Sequence, residues 1–208
     1  MTKKEVKAII FDIGGVLQLG RNPKIITNSS VHEQIAKKLK ISLDQYLDAI
    51  DSTYAKSIEG SIPEKRALET IARNLKISIL KLRKIYIRAY RKNFKFNKQL
   101  FKRALKLKKA GYKIAILSDQ WYISRDAFVD SRLRKNFSPL VISCDSGLRK
   151  PNPKIYRLIL KKLHLPPHQT LFIDNQQWNT KPAEKLGIHT ILFKNNKQLF
   201  KQLEKVLR

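Results

Sequence analysis

Four residues of this chain have side chains that could act together: Asp12, Ser118, Lys150 and Asp174. Each ends or follows a short apolar run. Asp12 closes Ile9-Ile10-Phe11 and precedes Ile13-Gly14-Gly15, and Ser118-Asp119 closes a second run. Lys150 lies in Gly147-Leu148-Arg149-Lys150-Pro151-Asn152-Pro153 after a third run, and Asp174-Asn175 closes a fourth. If these runs are strands of one open α/β sheet, their carboxyl ends form the edge at which such sheets bind ligands. A carboxylate nucleophile, a hydroxyl donor, a cation and a second carboxylate would then converge there. Singly, each residue has a plainer reading: a turn aspartate before a flexible glycine pair, a turn hydroxyl, a solvated lysine, a helix N-cap. Their arrival at successive strand ends favours a site.

The runs that must position them are Val6 to Phe11, Lys113 to Leu117, Leu140 to Ser143, Thr170 to Ile173 and Thr190 to Phe193. Several are almost continuous Ile, Leu, Val and Phe, as suits parallel strands buried on both faces. Helical patterns alternate with them: Ile155, Leu158, Ile159 and Leu163; Lys181 to Leu186, stopped by Gly187; and Leu199, Leu203 and Val206. This alternation predicts a doubly wound, Rossmann-like α/β fold with a parallel sheet. Between the first two runs there is no strand signal but four helical stripes. Ser30 and Glu33 form a capping-box pattern ahead of Val31, Ile35 and Leu39, and Ser61 and Glu64 another ahead of Leu68, Ile71 and Leu75. Leu43, Leu47, Ile50 and Tyr54 form a third stripe, and Leu82, Ile85 and Ala89 a fourth. The expected division is an α/β core over 1–18 and 97–208 with an inserted four-helix cap over 19–96, and Lys98 to Ala110 a core helix stopped by Gly111.

At 208 residues and 42% hydrophobic, the chain can bury a core as one domain with an insertion, which excludes global disorder. No apolar run approaches the roughly 18–20 residues of a membrane span, and the start carries no signal-peptide core, so a cytosolic protein is expected. Cys144, the single cysteine, excludes an intrachain disulfide and a cysteine-based zinc cluster. The four histidines are scattered, so any metal would be held mainly by oxygen.

In these motifs the sequence resembles the haloacid dehalogenase-like hydrolase superfamily, in particular its small helical-cap phosphatases, the group of the bacterial glucose-1-phosphate phosphatases. The resemblance covers essentially the whole chain. It is most specific in Arg149 to Tyr156, Thr170 to Asn175 and Ala183 to Ile188. It implies that Asp12 attacks phosphorus in line and forms an aspartyl-phosphate. It implies Mg²⁺ held by Asp12, Asp174 and the main-chain carbonyl of Gly14, with Asn175 a weak or outer ligand. Ser118 and Lys150 would bind the transferred oxygens, joined by backbone N–H groups around Gly14 and Gly15 and by the neighbourhood of Asp119.

The sequence departs from the superfamily's pattern in places. Most phosphatases of the superfamily have a second aspartate two residues after the nucleophile, as general acid and base; here that residue is Gly14. The group with glucose-1-phosphate phosphatase shares this glycine, and a sugar leaving through its anomeric oxygen needs less protonation. Asn175 stands where an aspartate is usual, removing one negative charge from the metal shell, and Gln176 replaces the usual Asn. Asp119 follows Ser118 where Asn is common. Trp121 and Trp178 are read either as pocket walls or as ordinary partly buried aromatics.

Lys and Arg total 44 against 16 Asp and Glu, a net charge of +28, and Thr70 to Ser118 contains no acidic residue. Tyr86, Tyr90, Phe94 and Phe96 interleave with these cations. Either a track for nucleic acid or another polyanion, or solvated faces of amphipathic helices, gives this pattern, and the second is favoured because no nucleic-acid motif is present. Two functions are therefore carried forward: a Mg²⁺-dependent phosphatase for a small phosphorylated metabolite, and a catalytically weakened relative binding a polyanion or protein through its basic cap. Natural substrate and oligomeric state stay open.

Overall fold

The computed structural model describes residues 6–21 and 29–207, with only the backbone of Ser29 and Ser30. The chain begins with β1 (Ala8–Phe11) and β2 (Gln18–Gly20), followed by four helices, α1 (Ser29–Leu39), α2 (Leu43–Glu59), α3 (Glu64–Asn74) and α4 (Ile79–Asn93). It continues through β3 (Phe94–Phe96), α5 (Lys98–Lys109), β4 (Lys113–Ser118), α6 (Tyr122–Phe128), α7 (Ser131–Asn136) and β5 (Leu140–Ile142). The last part is α8 (Ser143–Ser146), α9 (Pro153–Leu163), β6 (Thr170–Asp174), α10 (Gln177–Lys185), β7 (His189–Leu192) and α11 (Asn196–Val206).

Five strands form a parallel sheet in the order β5-β4-β1-β6-β7. Strand periodicity sends alternate side chains to opposite faces, and both faces are covered. Ile9, Phe11, Ile114, Ile116, Leu171 and Ile173 pack into one core together with Leu100, Leu133, Leu199 and residues of α1–α4. Ala8, Ile10, Ala115, Leu117 and Phe172 pack on the other side against Ile155, Tyr156, Ile159 and Ala183. The near-continuous apolar runs are the consequence. No helix among the described residues is long and apolar enough to cross a membrane.

The expected absence of strands between the first two core strands is corrected. β2 and β3 pair antiparallel, Gln18 with Phe96, Leu19 with Lys95 and Gly20 with Phe94, and this ribbon brackets α1–α4. At three residues each, the strands are too short to show an alternation. One capping assignment also changes, while the one at Ser30 falls on a side chain outside the described residues. Pro63, not Ser61, occupies the N-cap of α3, and Ser61 Oγ donates to Lys56 O at the end of α2 instead. Among the described residues a capping box forms at the start of α2, between Ser42 and Gln45. Helix α10 begins four residues before the expected Lys181 and contains Pro182.

Candidate active site

The sheet brings the four candidate residues to one edge. Phe11 is level with Ile173, so the next residues, Asp12 and Asp174, leave adjacent strands side by side, and the Asp12 N–H donates to Ile173 O at 3.0 Å. Ser118 is the last residue of β4, on the other side of β1. Lys150 enters from the loop between α8 and α9. All four are buried: Asp12 is 6% exposed, Lys150 3%, and Ser118 and Asp174 fully enclosed.

Lys150 Nζ lies 2.7 Å from Asp174 Oδ2 and 3.1 Å from Asp12 Oδ1, so one ammonium balances two carboxylates. Asp174 is further fixed by the Gln176 N–H on Oδ1 at 2.7 Å and the Asn179 amide on Oδ2 at 3.0 Å. Tyr156 Oη in turn donates to Asn179 O at 2.8 Å. Asp119 accepts the Lys150 backbone N–H at 3.1 Å, and its other oxygen is 3.9 Å from Arg149 Nε; it anchors the lysine loop. Gln120 Nε2 donates to Ser118 Oγ at 3.0 Å, while the Gln120 backbone N–H and carbonyl are both bonded by Ser143 Oγ. Gln120, Ser143, Tyr156 and Asn179 were not foreseen. These side-chain bonds cross between elements and leave no periodic trace. Asn179 alone gives a hint, as an asparagine one turn into the helix that follows Asp174.

Burial raises the Asp12 carboxyl to about 7; the Lys150 charge opposes this and the Asp174 charge adds to it. Burial alone would lower the Lys150 ammonium, but Asp12, Asp174 and Asp119 together push it well above its ordinary value. Asp119 is raised, chiefly by burial and against the pull of Lys150. Perturbed groups gathered at a sheet edge make this the candidate reactive centre.

The donor set fits a hard cation. Asp12 Oδ1, off the hydrogen-bonding direction of Lys150, and Asn175 Oδ1 are both buried without a hydrogen-bond partner. Buried unpaired oxygens are costly, and a cation held by oxygen satisfies them. No group of three or more His, Cys, Asp or Glu side chains suited to a metal is present among the described residues. The set is therefore two carboxylates supplemented by neutral oxygen.

The glycine pair has two distinct roles. Gly15 is at φ 77°, and a Cβ there would fall 2.4 Å from Asn175 Nδ2, so the amide occupies the space the glycine leaves. At Gly14 a Cβ would meet nothing within 4 Å, so the missing aspartate is not excluded by packing. The two tryptophans differ in setting. Trp121 is fully buried, donates Nε1–H to Tyr90 Oη at 2.7 Å and packs edge-on to Tyr54 and Tyr86. Trp178 is 64% exposed. Tyr86 and Tyr90 also face the interior, so they offer no surface to the cations of α4.

Helices α1–α4 close against this part of the core. Arg125 of α6 binds Glu64 of α3 at 2.8 Å and Asp145 of α8 at 2.6 Å, and Tyr122 Oη donates to Ile62 O at 2.7 Å.

Known proteins are similar to this chain in sequence or in fold. Mouse bifunctional epoxide hydrolase 2 is 30% identical over 179 residues, 84% of this chain; the chain spans 30% of that protein's length. A predicted HAD-like family hydrolase from Porphyromonas gingivalis superposes with a TM-score of 0.77 at 22% identity, covering 98% of both chains. A HAD family enzyme from Bacteroides thetaiotaomicron, solved with magnesium and inorganic phosphate, gives 0.72 at 21% identity over 94% of this chain and 99% of its own. The haloacid dehalogenase-like hydrolase family matches residues 6–187, and the chain belongs to that family of hydrolases.

Proposed function

We propose that the protein is a Mg²⁺-dependent phosphatase that hydrolyses a small phosphorylated metabolite through an aspartyl-phosphate on Asp12. The observation that carries this reading is the Asp12–Lys150–Asp174 cluster, in which one buried ammonium lies against two buried carboxylates beside the unpartnered side-chain oxygen of Asn175. A phosphoryl group repels an anionic nucleophile, and only nearby positive charge permits the approach. Asp12, Asp174, the Gly14 carbonyl and Asn175 would hold Mg²⁺, which supplies charge neutralisation to the phosphoryl oxygens. The Bacteroides relative binds both magnesium and phosphate.

An oxygen of Asp12 forms the bond to phosphorus while the bond to the leaving oxygen breaks. Ser118 and Lys150 donate to the equatorial oxygens as charge shifts onto them. With glycine at position 14, the leaving oxygen takes its proton from solvent. Water then attacks the same phosphorus, releasing inorganic phosphate and restoring the carboxylate. This favours good leaving groups such as the anomeric oxygen of a sugar 1-phosphate. Helices α1–α4 act as the cap that encloses the substrate, and the setting is the cytosol.

The test is phosphate release from sugar phosphates, nucleotides and an aryl phosphate, with and without Mg²⁺, beside Asp12→Asn. Metal-dependent turnover lost in the variant supports the reading. Absence of turnover on every substrate, with the fold intact, favours the weakened relative that binds through its basic surface.

A further inference from the structure

Between α1 and α4, away from the candidate active site, lies a groove of about 640 Å³. Its floor is apolar, formed by Ile35 of α1 and Ile85 and Ala89 of α4. Lys37 and Lys38 stand on one rim and Arg88 and Lys92 on the other. All four cations are exposed, and none forms an ion pair among the described residues. Glu33, the one acid of α1, is not paired with them either, and no carboxylate lines the groove. Gln34 is held by the Asn93 amide at 3.1 Å.

We propose that this groove is a second ligand site, for an anionic amphiphile: a compact apolar body carrying phosphate, phosphonate or carboxylate charge. The volume falls within the roughly 300–1,000 Å³ of small-molecule sites. Four unneutralised cations make the groove electrostatically complementary to an anion, and their aliphatic stems extend the apolar wall. A bare polyanion would engage the rims and leave the floor wet. Stacking of bases is not available, because Tyr86 and Tyr90 of the same helix are turned into the interior. The site shares no residue with the Asp12 cluster, so it stands or falls independently of the phosphatase reading.

The probe is octylphosphonate, whose carbon–phosphorus bond resists hydrolysis, titrated into the intact protein below its micelle concentration. Methylphosphonate supplies the charge alone, octyl glucoside the apolar chain alone, and a short oligothymidylate the polyanion. Octylphosphonate is expected to bind more tightly than the other three, equally to the parent and to Asp12→Asn. The Arg88→Gln/Lys92→Gln protein, altered only at exposed positions, is expected to bind it about tenfold more weakly with an unchanged melting curve. Lys37→Gln/Lys38→Gln should act in the same direction. No binding, binding indifferent to all four cations, or binding lost in Asp12→Asn would overturn the proposal. Tighter binding of oligothymidylate that disappears in the same variants would reassign the face to nucleic acid.

Discussion

Lys150 donates to Oδ2 of Asp174 at 2.7 Å with both side chains sealed from solvent, and the same ammonium faces Asp12 at 3.1 Å. One buried ammonium thus lies against two buried carboxylates and opposes the burial that raises the Asp12 carboxyl. Removing the cation leaves like charges without compensation. Lys150→Met is expected to lose turnover and about 3–5 kcal/mol of stability in urea unfolding. Stability equal to the parent's would show that the carboxylates do not depend on this cation.

The Asp12 carboxyl gives a pH signature in metal-free protein. Burial lifts it from 3.8 to about 7, so the folded protein keeps a proton that the unfolded chain releases at lower pH. Its stabilising contribution is complete below the unfolded value and is lost as pH rises through about 7. The slope is at most about 1.4 kcal/mol per pH unit within that window. The melting temperature of the parent minus that of Asp12→Asn should therefore fall from about pH 4 to about pH 7. A difference that is flat or rises across this range contradicts the assignment.

Gly14 lacks the acid and base, yet nothing within 4 Å opposes a side chain there. Gly14→Asp is expected to fold and to raise kcat on simple alkyl phosphates by on the order of 10²-fold, the lower end of what general acid catalysis contributes. An aryl phosphate, whose leaving group needs no proton, should change little. Equal gains on both substrates would mean the new carboxylate acts otherwise than by protonation.

Asn175 presents a buried oxygen without a partner and fills the space beside Gly15. Asn175→Asp adds a negative charge at nearly constant volume. Mg²⁺ affinity measured by calorimetry should rise about tenfold, while the metal-free protein loses stability through repulsion from Asp12. Unchanged affinity would place Asn175 outside the metal's reach.

The central strands were legible because burial on both faces leaves almost unbroken apolar runs, as in Ala8–Phe11 and Thr170–Asp174. The convergence of Asp12, Ser118, Lys150 and Asp174 followed from their common placement after such runs. The bonds that orient them did not: Gln120 to Ser118, Asn179 to Asp174 and Asp119 to the Lys150 N–H each depend on side-chain direction across elements. The β2/β3 ribbon was too short to read, and Pro63 displaced Ser61 at the start of α3. Trp121 illustrates the same gap, since adjacency to Ser118 in sequence says nothing of its turning inward to Tyr90.

The central claim is that Asp12 becomes phosphorylated. An aryl leaving group departs without a proton, so the adduct should form readily and be caught by acid quench during turnover. The most direct measurement is mass spectrometry of acid-quenched protein after mixing with Mg²⁺ and an aryl phosphate. The account predicts one HPO₃ unit on the peptide containing Asp12, released by hydroxylamine and absent in Asp12→Asn. Turnover that survives Asp12→Asn, or an adduct on another residue, would contradict it.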